Sequence, residues 1–161
     1  MEVYNGTSWT EVNNLGAARR NCGSSGTTTA GLLASGQSAP GTNLTNVESW
    51  NGTSWSEITE VNTGRNGLKG GGTQTASIFA GGYTTTEVAN AESWNGSSWT
   101  EVNDLNTARA YTGGSGTSTS NIISAGYKVP APAQSVVETW DGSSWTEVAE
   151  VNTARGQLSA A

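Results

Sequence analysis

Short apolar runs set between polar, turn-forming stretches give this chain its pattern. TASIFAGG (residues 75–82) is an apolar run closed by two glycines, VESW (47–50) pairs a β-branched residue with an aromatic one, and WSEI (55–58) alternates apolar and polar positions. Runs of this length and composition predict β-strands. No stretch supports a helix. Asn51-Gly52, between VESW and WSEI, is a hairpin signal, because both residues tolerate positive φ and let the chain reverse tightly.

The pattern recurs. ESWNGTSW (48–55) returns as ESWNGSSW (92–99) and ETWDGSSW (138–145), and a worn copy, EVYNGTSW (2–9), opens the chain. The second Trp of each copy, Trp9, Trp55, Trp99 and Trp145, steps by 46, 44 and 46 residues. An arginine follows ten residues later each time, at Arg19, Arg65, Arg109 and Arg155. A third landmark lies between them: GTTTAGLLASG from Gly26, GTQTASIFAGG from Gly72 and GTSTSNIISAG from Gly116. Landmarks in fixed order define a unit of about 45 residues, within the range of propeller blades.

Each unit reads as four strands: a Gly-rich first strand after the arginine, the apolar second strand, and two Trp-bearing strands joined by the hairpin. Trp50, Trp94 and Trp140 then face Trp55, Trp99 and Trp145 across paired strands, where aromatic pairs add about 0.5–1.5 kcal/mol beyond area burial. Such a sheet cannot bury both faces alone, so successive units must stack, and radial stacking gives a β-propeller. The small residues of the first strand suit the crowded axis; tryptophan suits the wider rim. The expected fold is all-β, with four-stranded antiparallel blades over units 19–64, 65–108 and 109–154, and partial units at 1–18 and 155–161.

An apolar strand ending in Gly-Gly, then VESW…W, then an arginine ten residues on, resembles the kelch repeat of β-propellers over essentially the whole chain. SIFAGGY (77–83) is the best match to the kelch double glycine, while the other units carry LLASGQ and IISAGY. The hairpin between the aromatic pair is shorter than the kelch pattern's, which makes this a divergent branch, similar to Thr/Ser/Asn-rich arrays in phage and environmental bacterial sequences. The resemblance implies closure by overlap of the two ends. Three complete blades and one split blade give a period of four and a ring of four or eight blades, with an eight-bladed homodimer favoured. The alternative is a fragment excised from a longer phage or bacterial surface array.

Composition narrows the function. The 161 residues fit one domain, and with 34% hydrophobic residues but seven Trp, most large apolar area sits at the repeated places. The net charge is −6, and four of the seven basic residues occupy the repeated arginine position, leaving only Arg20, Lys69 and Lys128 for a basic patch. Nucleic acid is therefore not an expected partner. No apolar run approaches the ~18–20 residues of a membrane span, and the first residues lack the basic and apolar regions of a signal peptide, so a soluble chain is expected, with a virion or cell surface as its setting by resemblance. Cys22 is the only cysteine and histidine is absent, which removes an intrachain disulfide, a Cys/His zinc site and the copper site of kelch-type oxidases. No metal and no cofactor is expected.

Candidate chemistry is sparse. A ring of Arg19, Arg65, Arg109 and Arg155 could hold an anion at the axis, but repetition in every unit favours a structural tie, for instance to Glu48, Glu92 or Glu138, which recur at the same step. The glutamates Glu11, Glu57, Glu101 and Glu147 also repeat, so no carboxylate pair is singled out for acid–base work and no catalytic residue is named. Cys22 lacks a histidine partner and reads as a small buried residue. The connections between second and third strands differ most between units, and variable loops on a rigid scaffold are where binding usually resides. Gln37, Tyr83, Tyr127 and Lys128 are the candidate contact residues. The expected function is a non-enzymatic binding or assembly module that closes by self-association and presents these loops to a protein or glycan; the alternative is a glycan-acting enzyme of propeller type.

Overall fold

The computed structural model describes residues 1–128 and 133–158. Among them every regular element is a strand, and all pairing is antiparallel. A two-stranded hairpin, β1 (Glu2–Tyr4) and β2 (Trp9–Glu11), opens the chain. Three four-stranded blades follow. The first contains β3 (Gly23–Gly26), β4 (Gly31–Ala34), β5 (Val47–Trp50) and β6 (Trp55–Ile58). The second contains β7 (Lys69–Thr73), β8 (Ala76–Ala80), β9 (Ala91–Trp94) and β10 (Trp99–Val102). The third contains β11 (Gly113–Gly116), β12 (Asn121–Ser124), β13 (Val137–Trp140) and β14 (Trp145–Val148). Each blade is a simple meander with its strands in sequence order.

Glycine on the first strands is required by close approach. β7 packs between β3 and β11, and a Cβ added to Gly114 would lie 2.9 Å from the backbone N of Gly70, while one on Gly71 would lie 2.5 Å from the Gly116 carbonyl oxygen. The inner strands therefore touch backbone to backbone. The double glycine has a different cause. After each second strand come two residues of positive φ: Ser35 and Gly36 (57° and 109°), Gly81 and Gly82 (68° and 121°), Ala125 and Gly126 (58° and 110°). The first value is ordinary left-handed backbone that other residues can adopt, whereas the second lies beyond it, where only glycine is comfortable. This explains why Gly-Gly can become Ser-Gly or Ala-Gly but never loses its second member.

The core lies between blades. From the second blade, Phe79, Trp94 and Trp99 face back onto Leu32, Ala34, Val47 and Ile58 of the first. Its opposite face, with Ile78, Ala80 and Ala91, receives Ile123, Trp140 and Trp145 of the third. The period of 2 along each strand thus gives every blade an aromatic face and an aliphatic face, and aromatic meets aliphatic at each joint. The Trp pairs sit at ring-centroid distances of 5.1–5.3 Å. The first Trp of each pair also donates its indole N–H to the β-turn before the second strand, at Thr28 (3.0 Å), Gln74 (3.0 Å) and Ser118 (3.1 Å) carbonyls.

Two expectations need correction. Asn51 is not at positive φ; only Gly52 is, at 91°. Asn51 acts instead through its side chain, whose Oδ1 accepts the backbone N–H of Thr53 and Ser54 at 2.9 Å each. At the far end, residues 155–158 form no strand, only a single bridge between Arg155 and Gln134, and residues 159–161 lie outside the described residues. The chain is an open arc. Trp9 is 65% exposed and Ile122 41%, whereas Trp99 is 7% and Ile78 0% exposed at the equivalent positions.

Candidate functional site

The repeated arginines are placed by the chain just ahead of each first strand, and their guanidinium groups reach the carboxylate on the third strand of the same blade. Arg19 Nη1 donates to Glu48 Oε1 at 2.7 Å, Arg65 pairs with Glu92, and Arg109 with Glu138. All three arginine side chains are fully buried. Each carboxylate also accepts backbone N–H groups from the segment before the arginine: Gly16 for Glu48, Asn62 and Thr63 for Glu92, Asn106 and Thr107 for Glu138. A buried charge supported this way ties each blade to the connection ahead of it and withholds the Arg19, Arg65 and Arg109 guanidinium groups from any axial anion. Arg155 differs: it is exposed, and its Nε donates to the Thr153 carbonyl at 3.1 Å.

Gln37, Tyr83 and Tyr127 prove to occupy one structural position. Each follows the second glycine of its unit and bridges back to the residue after the buried arginine: Gln37 to Arg20, Tyr83 to Asn66, Tyr127 to Ala110. Around them the side chains depart from the repeat and join into one network. Tyr111 Oη donates to Asn66 Oδ1 at 2.6 Å, Asn66 Nδ2 donates to Asn43 Oδ1 at 2.7 Å, and Asn43 Nδ2 reaches the Tyr83 and Thr84 carbonyls at 3.1 Å each. The Tyr127 ring stands edge-on to Tyr111 at 6.3 Å. Arg20 Nη2 donates to Gln37 Oε1 at 3.1 Å. Burial pushes the Tyr111 phenol up, with a further rise from Tyr83 and an opposing pull from Arg20. Lys128 is exposed beside Tyr127.

Sequence reasoning missed Asn43, Asn66 and Tyr111 as members of this rim. The signal for Tyr111 was available: it stands two residues after Arg109, where the other units have Asn21, Gly67 and Gln157, and all four residues have φ between 54° and 69°. A repeated backbone carrying an unrepeated side chain is a place where the fold does not dictate the residue. Next to it, Asn21, Gly67, Lys69, Tyr111, Gln157 and Leu158 line a cavity of about 420 Å³. The rim offers half-buried phenol rings and the half-buried carboxamides of Gln37 and Asn43, a set suited to stacking and hydrogen bonding with a polar ligand, while Asn66 is fully buried beneath them.

Other groups are poorer candidates. Cys22 is half-buried and its thiol is pushed up by burial, against the lowering pull of Arg19. Among the described residues, no group of three or more Cys, Asp or Glu could hold a metal ion, and no helix is long and apolar enough to cross a membrane.

This arrangement of blades defines a protein of propeller type. No family model matches the sequence, and no curated protein is similar to it. Among solved structures the chain is similar to that of YjhT, a kelch-like β-propeller fold, with a TM-score of 0.72 at 18% identity over 88% of this chain. The match covers 49% of the YjhT chain, so this chain spans about half its length.

Proposed function

We propose that the chain is a non-enzymatic binding and assembly module, which associates with itself through its uncovered blade faces and presents the rim of Asn43, Tyr83, Tyr111 and Tyr127, braced from within by the buried Asn66, to a protein or glycan. The observation that carries this reading is the hydrogen-bonded network itself: side chains that break the repeat gather at one rim, while those that keep it are spent on the core and the buried ion pairs. The network lies in the connections between strands, pinned by isolated bridges such as Asn66 to Tyr83 and Ala110 to Tyr127, and connections on a rigid scaffold are where binding usually resides.

A glycan array and a pull-down, each run with the wild-type chain and with Tyr83→Ala and Tyr127→Ala, test the rim. Binding should fall at least about tenfold in both variants, the loss of one good aromatic contact, while far-UV circular dichroism stays unchanged. Binding that ignores both substitutions, or no binding to either set of ligands, would sink the reading.

A further inference from the structure

Within each blade, a segment ahead of the first strand builds a receptacle for a glutamate. Glu138 is held by the backbone N–H of Asn106 at 2.7 Å, Asn106 Nδ2 at 2.9 Å, the backbone N–H of Thr107 at 3.3 Å and the guanidinium of Arg109. Glu92 is held in the same way by Asn62, Thr63 and Arg65. The tetrapeptide of the third receptacle, Asn106-Thr107-Ala108-Arg109, recurs unchanged as Asn152-Thr153-Ala154-Arg155. Yet none of the ion pairs among the described residues includes Arg155, and Asn152 and Arg155 are both exposed.

A glutamate without a receptacle exists in the same chain. Glu2 pairs with Glu11 across the N-terminal hairpin as Glu48 does with Glu57, Glu92 with Glu101 and Glu138 with Glu147. It is therefore the equivalent carboxylate, but it is exposed and has no arginine. Its own hairpin lies beside the first blade, where Val3, Val12, Leu33, Trp50 and Trp55 share the walls of a cavity of about 610 Å³. The receptacle follows the third blade, at the other end of the arc.

The faces agree with the charges. Tyr4 and Trp9 form the same tilted pair as the buried Trp pairs, at 5.2 Å, but are 47% and 65% exposed. At the other end, Ile122 and Val148 are 41% and 40% exposed, whereas Leu32 and Ile78, which match Ile122 in register, are 1% and 0% exposed. The chain thus leaves one aromatic face and one aliphatic face uncovered, the two halves of a joint it makes twice internally.

We propose that a second copy of this chain docks its β1–β2 hairpin on the uncovered face of the third blade, with the partner's Glu2 seated in the Asn152–Arg155 receptacle. One placement meets both demands, because in the second and third blades the Trp pair that packs on the preceding blade and the glutamate that enters the receptacle belong to adjacent strands of one sheet. Each copy supplies one hairpin and one receptacle, so two identical joints close a two-fold dimer. The inference rests on the self-association part of the proposed function and specifies its contacts.

The test is sedimentation and light scattering on the full chain as wild type, Glu2→Arg, Arg155→Glu and an equimolar mixture of the two variants. Both residues are exposed in the single chain, so each variant should fold, as circular dichroism will check. Wild type should run at twice the chain mass. Each variant alone should dissociate about 100-fold more readily, as expected when one partner of a desolvated ion pair is reversed. The mixture should restore the dimer, because one joint regains the natural pair and the other a reversed pair. A wild-type monomer overturns both the inference and the self-association reading. A wild-type dimer indifferent to the swaps, or one not restored by mixing, overturns the receptacle and leaves self-association standing. Mass that keeps growing with concentration overturns the closed two-fold arrangement.

Discussion

At the scale of the residue, the buried Arg–Glu pairs do the most to join sequence to fold. Removing two charges from water costs several kcal/mol per ion. While Arg19 Nε and Arg109 Nε find no hydrogen-bond partner among the described residues, the Arg65–Glu92 pair has its remaining donors and acceptors met. For Glu92 this means the Asn62 and Thr63 N–H groups as well as Arg65, whose own Nε donates to the Gly81 carbonyl at 2.9 Å. Glu92→Gln keeps the shape but strands the arginine charge in the core. We expect a loss of about 3–5 kcal/mol in denaturant unfolding, whereas the double variant Arg65→Met, Glu92→Leu should lose less than either single change. A Glu92→Gln variant as stable as wild type would show that the pair contributes nothing.

At the scale of the element, the hairpin turns differ in one testable way. Three of them begin with Asn and the fourth with Asp141, whose Oδ1 accepts the N–H of Ser143 and Ser144 at 2.8 Å each. These backbone donors, Ser144 first, hold the Asp141 carboxyl below the usual 3.8. A carboxylate depressed on folding adds stability that is fully present above its unfolded value and disappears as pH falls through the folded one. The β13–β14 turn should therefore loosen only in acid, below about pH 3.8. Amide NMR shifts of Ser143 and Ser144 should titrate there, and Asp141→Asn should abolish the titration while keeping the turn. Shifts that move at the same pH in both variants would count against the assigned contact.

At the scale of the molecule, the arc is held by joints that each need two blades, so its ends are where stability and assembly meet. Removing residues 1–12 uncovers Leu33, Trp50 and Trp55 on the first blade and takes away the Tyr4–Trp9 face. We expect the truncated chain to sediment as a monomer that aggregates more readily, since contiguous apolar patches of this kind are association-prone. A truncated chain with the mass and melting temperature of wild type would refute a role for the hairpin in assembly.

Repetition makes the blades legible in the sequence alone: period-2 strands, a constant step between tryptophans and an arginine at a fixed offset are local and recur, so each copy reinforces the reading of the others. The Trp50–Trp55 pairing and the glycine inner strands follow from that alone. Tertiary structure decided the rest. That Arg65 meets Glu92, 27 residues away, rather than an axial anion depends on how the segment before the blade folds over its third strand. Asn43, Asn66 and Tyr111 converge from three successive units, a proximity that spacing along the chain cannot encode. The same holds for the uncovered ends. Tyr4 and Ile122 belong to the same sequence pattern as their buried equivalents, and only the placement of neighbouring sheets determines which of these equivalent motifs is left facing water.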